Sequence, residues 1–165
     1  MQIKFKLKAK SSWDQSQIDR VRVAARWSAA RLGFVKLPIT IVIRLVGPHP
    51  EQFGSCSMVD ESRYIIWLQS GLDANRTIST LFHEMTHIKQ HLYDGLYLHS
   101  ASTADFRHKQ YDMEDYWNAP WEKEARKAEY SLLNEFLETY YWKQQEQCGD
   151  QTICSEVMFC RLKKW

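Results

Sequence analysis

The segment from residue 74 to residue 93 constrains the fold more than any other, because it has helical periodicity on two faces. Apolar side chains recur along one face, namely Ile78, Leu81, Phe82, Met85, Ile88 and Leu92. His83 and His87, four positions apart, lie together on the opposite face. Asp73 precedes the segment and is the predicted N-terminal cap. Packing of this helix against a core therefore does not account for the two histidines.

Two histidines at this spacing can reach one metal ion, and a glutamate beside the first can reach a water molecule on that ion. The pattern His-Glu-x-x-His thus predicts a metal site with His83 and His87 as ligands. Glu84 has the position of a general base, beside the metal but not bound to it. Because a catalytic zinc ion usually takes three protein ligands, we expect a third from another part of the chain.

Glu122 is the favoured third ligand. It falls on the apolar face of a helix predicted from Pro120 to about Gln144, where an ionised carboxylate needs a cation as its partner. An electrostatic role for Glu122 at the positive end of that helix is the alternative. His91 is excluded because it lies about 12 Å along the helix axis from His83. Other ligands stay open, namely Glu124, His99 and His108.

The remaining segments predict an α+β fold. Alternation of apolar residues with lysines over residues 2–8 predicts an edge strand, and a helix capped by Ser11 or Ser12 is expected to follow as far as Leu32. Strands are expected at 39–46, 53–59 and 64–69, the last two forming a hairpin in a small mixed sheet. Residues 94–118 lack a clear period and predict a long loop. We expect one domain over residues 1–146 and a C-terminal tail, 147–165, with a short helix around Ile153, Val157 and Leu162.

Charge is unevenly distributed along the chain. Residues 1–46 contain ten lysines or arginines and two aspartates, a formal charge of +8, whereas the remaining residues have a formal charge of −6. The favoured interpretation is a solvated helix face together with lysines that protect the edge strand. Contact of this basic N-terminal face with nucleic acid or an acidic partner is the alternative.

Hydropathy predicts neither a membrane span nor a secretory signal. No apolar run approaches the roughly 18 residues that a span requires. The N-terminus alternates and lacks the apolar core of a signal peptide, so we expect a cytoplasmic location. The four cysteines lack C-x-x-C spacing and are expected to be free thiols, with a metal site in the tail as the alternative; they are Cys56, Cys148, Cys154 and Cys160.

These motifs resemble a known class of enzymes. His83, Glu84 and His87 on one helix, followed on a second helix by Glu122 with the small Ala125 three places on, resemble the gluzincin class of zinc metallopeptidases. The order of elements over residues 1–143 resembles the minimal zincin fold. Residues 116–125 are similar to small metallopeptidase-like proteins of bacteriophages and bacteria. For a phage-encoded protein the expected location is the host cytoplasm or the virion.

The resemblance implies Zn²⁺ held by His83, His87 and Glu122, with Glu84 as general base and a peptide or protein as substrate. It also implies that the strand at 64–69 forms the lip along which an extended substrate lies. The chain departs from the common gluzincin pattern at Arg126, where an aspartate or asparagine often supports a histidine ligand. The support of the histidines is therefore an open question for the structure.

Two other functions stay open on the sequence alone. One is a non-catalytic zinc-binding protein, for instance a phage-associated component that docks on nucleic acid or on a protein through its basic N-terminal face. The other is proteolysis of the SprT-like kind, which would use a third histidine, such as His108, in place of Glu122.

Overall fold

A computed structural model describes residues 3–49, 52–99 and 102–147, with side chains as far as residue 140. The described residues have the predicted α+β class. Their elements in chain order are β1 (Lys4–Ala9), α1 (Gln15–Arg31), β2 (Thr40–Val46), β3 (Gly54–Asp60), β4 (Arg63–Gln69), α2 (Ala74–Tyr93), β5 (Tyr97–Leu98), β6 (Thr103–Phe106), β7 (Lys109–Asp112), a short 3-10 helix (Tyr116–Asn118) and α3 (Pro120–Gln147).

The chain divides into two compact units, Met1–Leu133 and Asn134–Trp165. The first contains both sheets, α1, α2 and the N-terminal half of α3. In the second, the structure describes residues 134–147, which continue α3. The expected boundary between residues 146 and 147 stays a prediction, and the helix expected around Ile153, Val157 and Leu162 lies outside the described residues.

The larger sheet has four strands in the order β1-β2-β4-β3. β1 pairs parallel with β2, β2 pairs parallel with β4, and β3 pairs antiparallel with β4. The predicted edge position of the first strand is confirmed. β4 lies in the interior with both edges paired, so the expectation that residues 64–69 form a free lip is wrong. The edge strand next to α2 is β3, and no described strand pairs with its outer edge.

One face of this sheet builds the core. Its inward residues are almost completely buried and lie under the helices; they are Ile41, Ile43, Leu45, Tyr64, Ile66 and Leu68. α2 packs on β3 and β4, and α1 packs beside α2. Trp27 of α1 contacts Phe82 of α2, with ring centroids 5.5 Å apart. Burial of this apolar surface fixes α2 on the sheet and therefore fixes the position of its polar residues.

α1 begins two or three residues later than the predicted serine caps imply. Asp14 is the N-cap, and its carboxylate accepts a hydrogen bond from the Gln17 amide at 2.8 Å. The Gln17 side chain accepts one in return from the Asp14 amide, at 3.0 Å, which completes a capping box. The predicted Ser11 or Ser12 cap is wrong, because Asp14 caps the helix and Gln15 is its first residue. The expected end at Gly33 agrees with its positive φ of 86°.

The sequence predicted a long loop at residues 94–118, and that prediction is wrong. These residues form the three-stranded antiparallel sheet β5-β6-β7 and the 3-10 helix. Strands of two to four residues are too short to show a period of two. The β6–β7 turn consists of Arg107 and His108, both with positive φ, and lacks the usual Asn-Gly signal.

Two smaller expectations concern cysteine and the membrane. Cys56 is a free cysteine, as predicted; Cys148, Cys154 and Cys160 lie outside the described residues. None of the described helices combines the length and the apolar character that a membrane crossing requires.

Candidate metal centre

α2 brings His83 and His87 to one point, as the four-residue spacing predicts. The helix begins at the predicted cap, where the Asp73 carboxylate accepts a hydrogen bond from the Arg76 amide at 2.8 Å. The two imidazoles meet edge to face with centroids 4.8 Å apart. Their Nε2 atoms are separated by 3.1 Å. Both rings are largely buried, with side-chain exposures of 17% for His83 and 10% for His87.

Glu122 completes the cluster from the first turn of α3. Its Oε2 lies 3.3 Å from His83 Nε2, and its Oε1 lies 3.2 Å from His87 Nε2. One ligand atom from each of the three residues lies within 4.8 Å of the others, close enough to bind a single metal ion. Among the described residues, this is the group of histidine, cysteine or acidic side chains that is close enough to hold a metal ion. The structure thus groups Glu122, and neither Glu124 nor a loop histidine, with the motif.

Gln90 fixes the proton on His87. Its Nε2 donates to the Trp121 carbonyl at 2.9 Å, so its Oε1 is the atom that faces His87 Nδ1, also at 2.9 Å. An amide oxygen can only accept, and His87 Nδ1 must therefore carry the hydrogen. In the neutral imidazole, Nε2 then holds a lone pair directed at Glu122. Because Gln90 is fully buried, water does not compete for either hydrogen bond.

Glu129 has the same relation to His83. Its Oε2 lies 3.4 Å from His83 Nδ1, and its Oε1 lies 3.9 Å from the guanidinium of Arg76. A carboxylate at Nδ1 favours the hydrogen on that nitrogen and leaves the Nε2 lone pair of His83 free. Both Nε2 lone pairs and the Glu122 carboxylate therefore converge on one point, an arrangement that repels itself unless a cation lies between them.

The pKa values follow from this convergence. Burial opposes a charge on His83, but the carboxylates of Glu122 and Glu129 outweigh it and raise the pKa of His83 to about 10. Burial also opposes ionisation of Glu122, yet the neighbouring histidines hold its pKa well below the usual range. The cluster therefore keeps its carboxylate ionised and takes up positive charge, which is the behaviour of a cation site.

One buried oxygen of the cluster is a position that a metal ion would fit. Glu122 Oε1 is buried and accepts no hydrogen bond from any described residue. His87 Nε2 is close to it, but the hydrogen of that ring is on Nδ1. A buried carboxylate oxygen without a donor is costly, and a metal ion bound to it would remove the cost. Two imidazole nitrogens and one carboxylate also form a common donor set of catalytic zinc, so the residues present fit that metal.

Glu84 lies beside the cluster and beneath β3. It is buried, and burial raises its pKa to about 7. A methyl group added at Gly54 of β3 would lie 3.3 Å from Glu84 Oε1 and 2.6 Å from Thr80 Cγ2. The strand approaches the carboxylate this closely because residue 54 has no side chain. The buried thiol of Cys56 lies near by, and its pKa is raised by burial and by the charge of Glu84.

The other candidate ligands lie in different interactions. Glu124 contacts Lys89 at 3.1 Å and also pairs with Arg107, which itself lies 3.5 Å from Asp94. This network connects the end of α2, the β6–β7 turn and the start of α3. His91 Nδ1 lies 2.6 Å from the Leu96 carbonyl, and His99 pairs with Asp105 at 2.7 Å. His108 lies in the β6–β7 turn.

Tyr116 is an aromatic residue that reaches the cluster from the 3-10 helix before α3. Its hydroxyl donates a hydrogen bond to Glu122. Burial and this bond raise the pKa of Tyr116 far above its ordinary value. Tyr111 instead packs against Trp121, with ring centroids 5.8 Å apart. Trp117, the neighbour of Tyr116, is 70% exposed.

The supporting roles of Gln90 and Glu129 were not predicted from the sequence. Gln90 follows His87 by three positions, and Glu129 follows Glu122 by two helical turns, so each shares a face with a ligand. That periodicity was visible, but which atom each residue meets depends on how α2 and α3 pack. Arg126, where a supporting acid was sought, donates to the Trp117 carbonyl instead. Gln90 and Glu129 thus supply the support that Arg126 lacks.

Comparisons with known proteins add no family to this description. No protein-family model matches the chain, and neither the curated proteins nor the solved structures give a match. The functional argument therefore depends on the geometry of the site.

Proposed function

We propose that the protein is a zinc-dependent metallopeptidase of the gluzincin type, with His83, His87 and Glu122 as zinc ligands. The observation that carries the proposal is the convergence of two Nε2 lone pairs and an unpartnered Glu122 oxygen, with a buried glutamate beside them. The resemblance to the minimal zincin fold agrees with the order of elements: a helix, a mixed sheet with an antiparallel edge strand, the motif helix and the glutamate helix.

The chemistry supplied by bound zinc would be a lowered pKa of water, toward about 7. Glu84 accepts the proton of the attacking water and passes it to the leaving amine. Its own pKa of about 7 suits a group that must both take up and release a proton near neutral pH. Gln90 and Glu129 keep the two imidazoles in the tautomer that leaves Nε2 free.

The substrate would lie along β3. Within the described residues the outer edge of β3 has no partner strand, and its residue Gly54 lies directly over Glu84. An extended peptide that pairs with this edge by backbone hydrogen bonds would pass beside the general base. Tyr116 is the residue we assign to the developing oxyanion, because its hydroxyl already lies at Glu122.

The test is the substitution Glu84→Gln, compared with Glu122→Gln and with the control Glu124→Gln. Zinc content is measured in the purified proteins, and cleavage is followed on a mixture of unfolded protein substrates by mass spectrometry. We expect Glu84→Gln to retain zinc and lose hydrolysis, Glu122→Gln to lose both, and Glu124→Gln to retain both. Cleavage by Glu84→Gln at the wild-type rate would refute the mechanism, and full zinc content in Glu122→Gln would refute the ligand set.

A further inference from the structure

The four-stranded sheet has a second face, opposite to α1 and α2. In the unit that ends at Leu133, no described element packs on this face, and its side chains are exposed or half-buried. The strand registers place the side chains of this face in three rows across the sheet, which are Lys4–Thr40–Arg63–Asp60, Lys6–Val42–Ile65–Ser57 and Lys8–Arg44–Trp67–Ser55. We call these twelve residues the open face.

Positive charge dominates the open face. It carries five cations, Lys4, Lys6, Lys8, Arg44 and Arg63, all of them exposed. Its one acid, Asp60, is bound to Arg63 at 2.5 Å. The three lysines of β1 form a straight row with a spacing of about 6.6 Å, because alternate residues of a strand point to the same side. Four of the ten lysines and arginines in residues 1–46 thus lie on the open face, and three of them form a row along one edge.

Apolar groups lie in the middle of the same face. Val42, Ile65 and Trp67 occupy neighbouring positions on β2 and β4 and remain half-buried. The guanidinium of Arg44 lies 5.7 Å from the centre of the Trp67 ring. A row of cations therefore runs beside an aromatic ring and a small apolar patch. Lysines that serve only to protect an edge strand do not require an aromatic ring in the adjacent strands.

We propose that the open face binds single-stranded nucleic acid. Phosphates of the strand pair with the lysine row of β1 and with Arg44, and a base stacks on Trp67 over the patch formed with Val42 and Ile65. An acidic protein segment would match the cations but has no regularly repeated flat group for the ring. A duplex presents its bases edge-on and would leave the ring without a partner.

This binding is independent of the proposed peptidase function. The open face and the metal cluster lie on opposite sides of the sheet, since α2 packs on the other face. The open face shares no residue with His83, Glu84, His87 or Glu122. A nucleic acid could therefore bind to the open face while a metal ion is bound at the cluster.

The experiment is a fluorescence-anisotropy titration of a labelled 15-nucleotide oligothymidylate with the full chain, repeated between 50 and 300 mM salt. Four phosphate contacts predict a slope of log K against log[salt] of about −3. Lys6→Gln should reduce the size of that slope by about 0.7, whereas Lys127→Gln, the same change on an exposed residue of α3, should not alter it. Trp67→Leu should weaken binding by roughly 5- to 150-fold, and Trp67→Phe should retain most of it. Trp117→Leu, which removes a more exposed tryptophan beside the metal cluster, should leave it unchanged.

Three results would overturn the proposal. The first is the absence of saturable binding at 50 mM salt. The second is competition by polyglutamate that equals competition by unlabelled oligonucleotide, which would assign the face to acidic proteins. The third is equal effects of Lys6→Gln and Lys127→Gln, or of the Trp67 and Trp117 substitutions, in variants whose circular dichroism matches the wild type. None of these results bears on zinc content or peptide hydrolysis, so the two proposals fail separately.

Discussion

Gln90→Met removes the two hydrogen bonds that orient His87 and hardly changes the volume of the side chain. Gln90 is fully buried, accepts from His87 Nδ1 and donates to the Trp121 carbonyl, each at 2.9 Å. Methionine is unbranched and of similar length, so it can fill the same space without a cavity. The substitution therefore separates the hydrogen bonds from the packing.

The substitution should change both the zinc affinity and the free energy of unfolding. Loss of a partner that orients a metal-binding histidine typically lowers metal affinity by about 10- to 100-fold, or about 1.4–2.8 kcal/mol. The change also leaves the His87 N–H buried without a partner, whereas the Trp121 carbonyl keeps the hydrogen bond of its own helix. The free energy of unfolding of the metal-free protein should therefore fall by about 1–3 kcal/mol.

Zinc affinity is measured by competition with a chromophoric chelator, and stability by guanidinium unfolding of the metal-free protein. The control is Thr86→Val, because Thr86 is equally buried on α2 but bonds only to the Phe82 carbonyl of its own helix. That variant should keep zinc affinity within about threefold, less than the effect expected of a lost partner. A folded Gln90→Met protein with wild-type zinc affinity would refute the assignment of the His87 tautomer.

Three further predictions test neighbouring features. Gly54→Ala should lower the free energy of unfolding by about 1–3 kcal/mol, because the new methyl group meets Thr80 at 2.6 Å. The control is Gly47→Ala, since Gly47 has open space around it. Equal effects of the two substitutions in urea unfolding would contradict the close approach of β3. Glu124→Gln should lower the free energy of unfolding by less than about 1 kcal/mol, since the ion pairs of Glu124 are partly exposed. Zinc titration of this variant should still give one ion per chain. Loss of that ion would make Glu124 a ligand. Glu84→Gln should stabilise the metal-free protein relative to the wild type. This gain in the free energy of unfolding should be about 3 kcal/mol larger at pH 8 than at pH 4. The reason is that the wild-type carboxyl has its pKa raised from 4.5 to about 7 in the folded chain, so its contribution to stability is lost as pH rises through that range; a wild-type-to-variant difference that is constant between these pH values would contradict it.

The sequence predicted the elements that have a long period or a clear cap. α2 has the predicted bounds because its apolar stripe continues for five turns behind Asp73. The β3–β4 hairpin and the Pro120 start of α3 were predicted for similar reasons. In each case the determining residues are neighbours in the chain, so local pattern was sufficient.

What the sequence did not predict depends on contacts between distant segments. β4 lies inside the sheet because β2 pairs with it, and strand order cannot be read from alternation within one strand. β5, β6 and β7 are too short for a period. Glu122 could be proposed as a ligand from its place on an apolar face. The roles of Gln90 and Glu129 required the positions of two helices relative to each other.

The cluster joins two helices that are far apart in the chain. About 35 residues separate His87 from Glu122, and they include β5, β6, β7 and the 3-10 helix. A metal ion held at both positions acts as a reversible cross-link: closing a loop of about 35 residues removes roughly 4 kcal/mol of conformational entropy from the unfolded chain. Under the proposed ligand set, metal availability would govern the persistence of this protein in the cell as well as its chemistry. A chain that loses its ion would open first in the segment between the two ligands and become a substrate for cellular proteases.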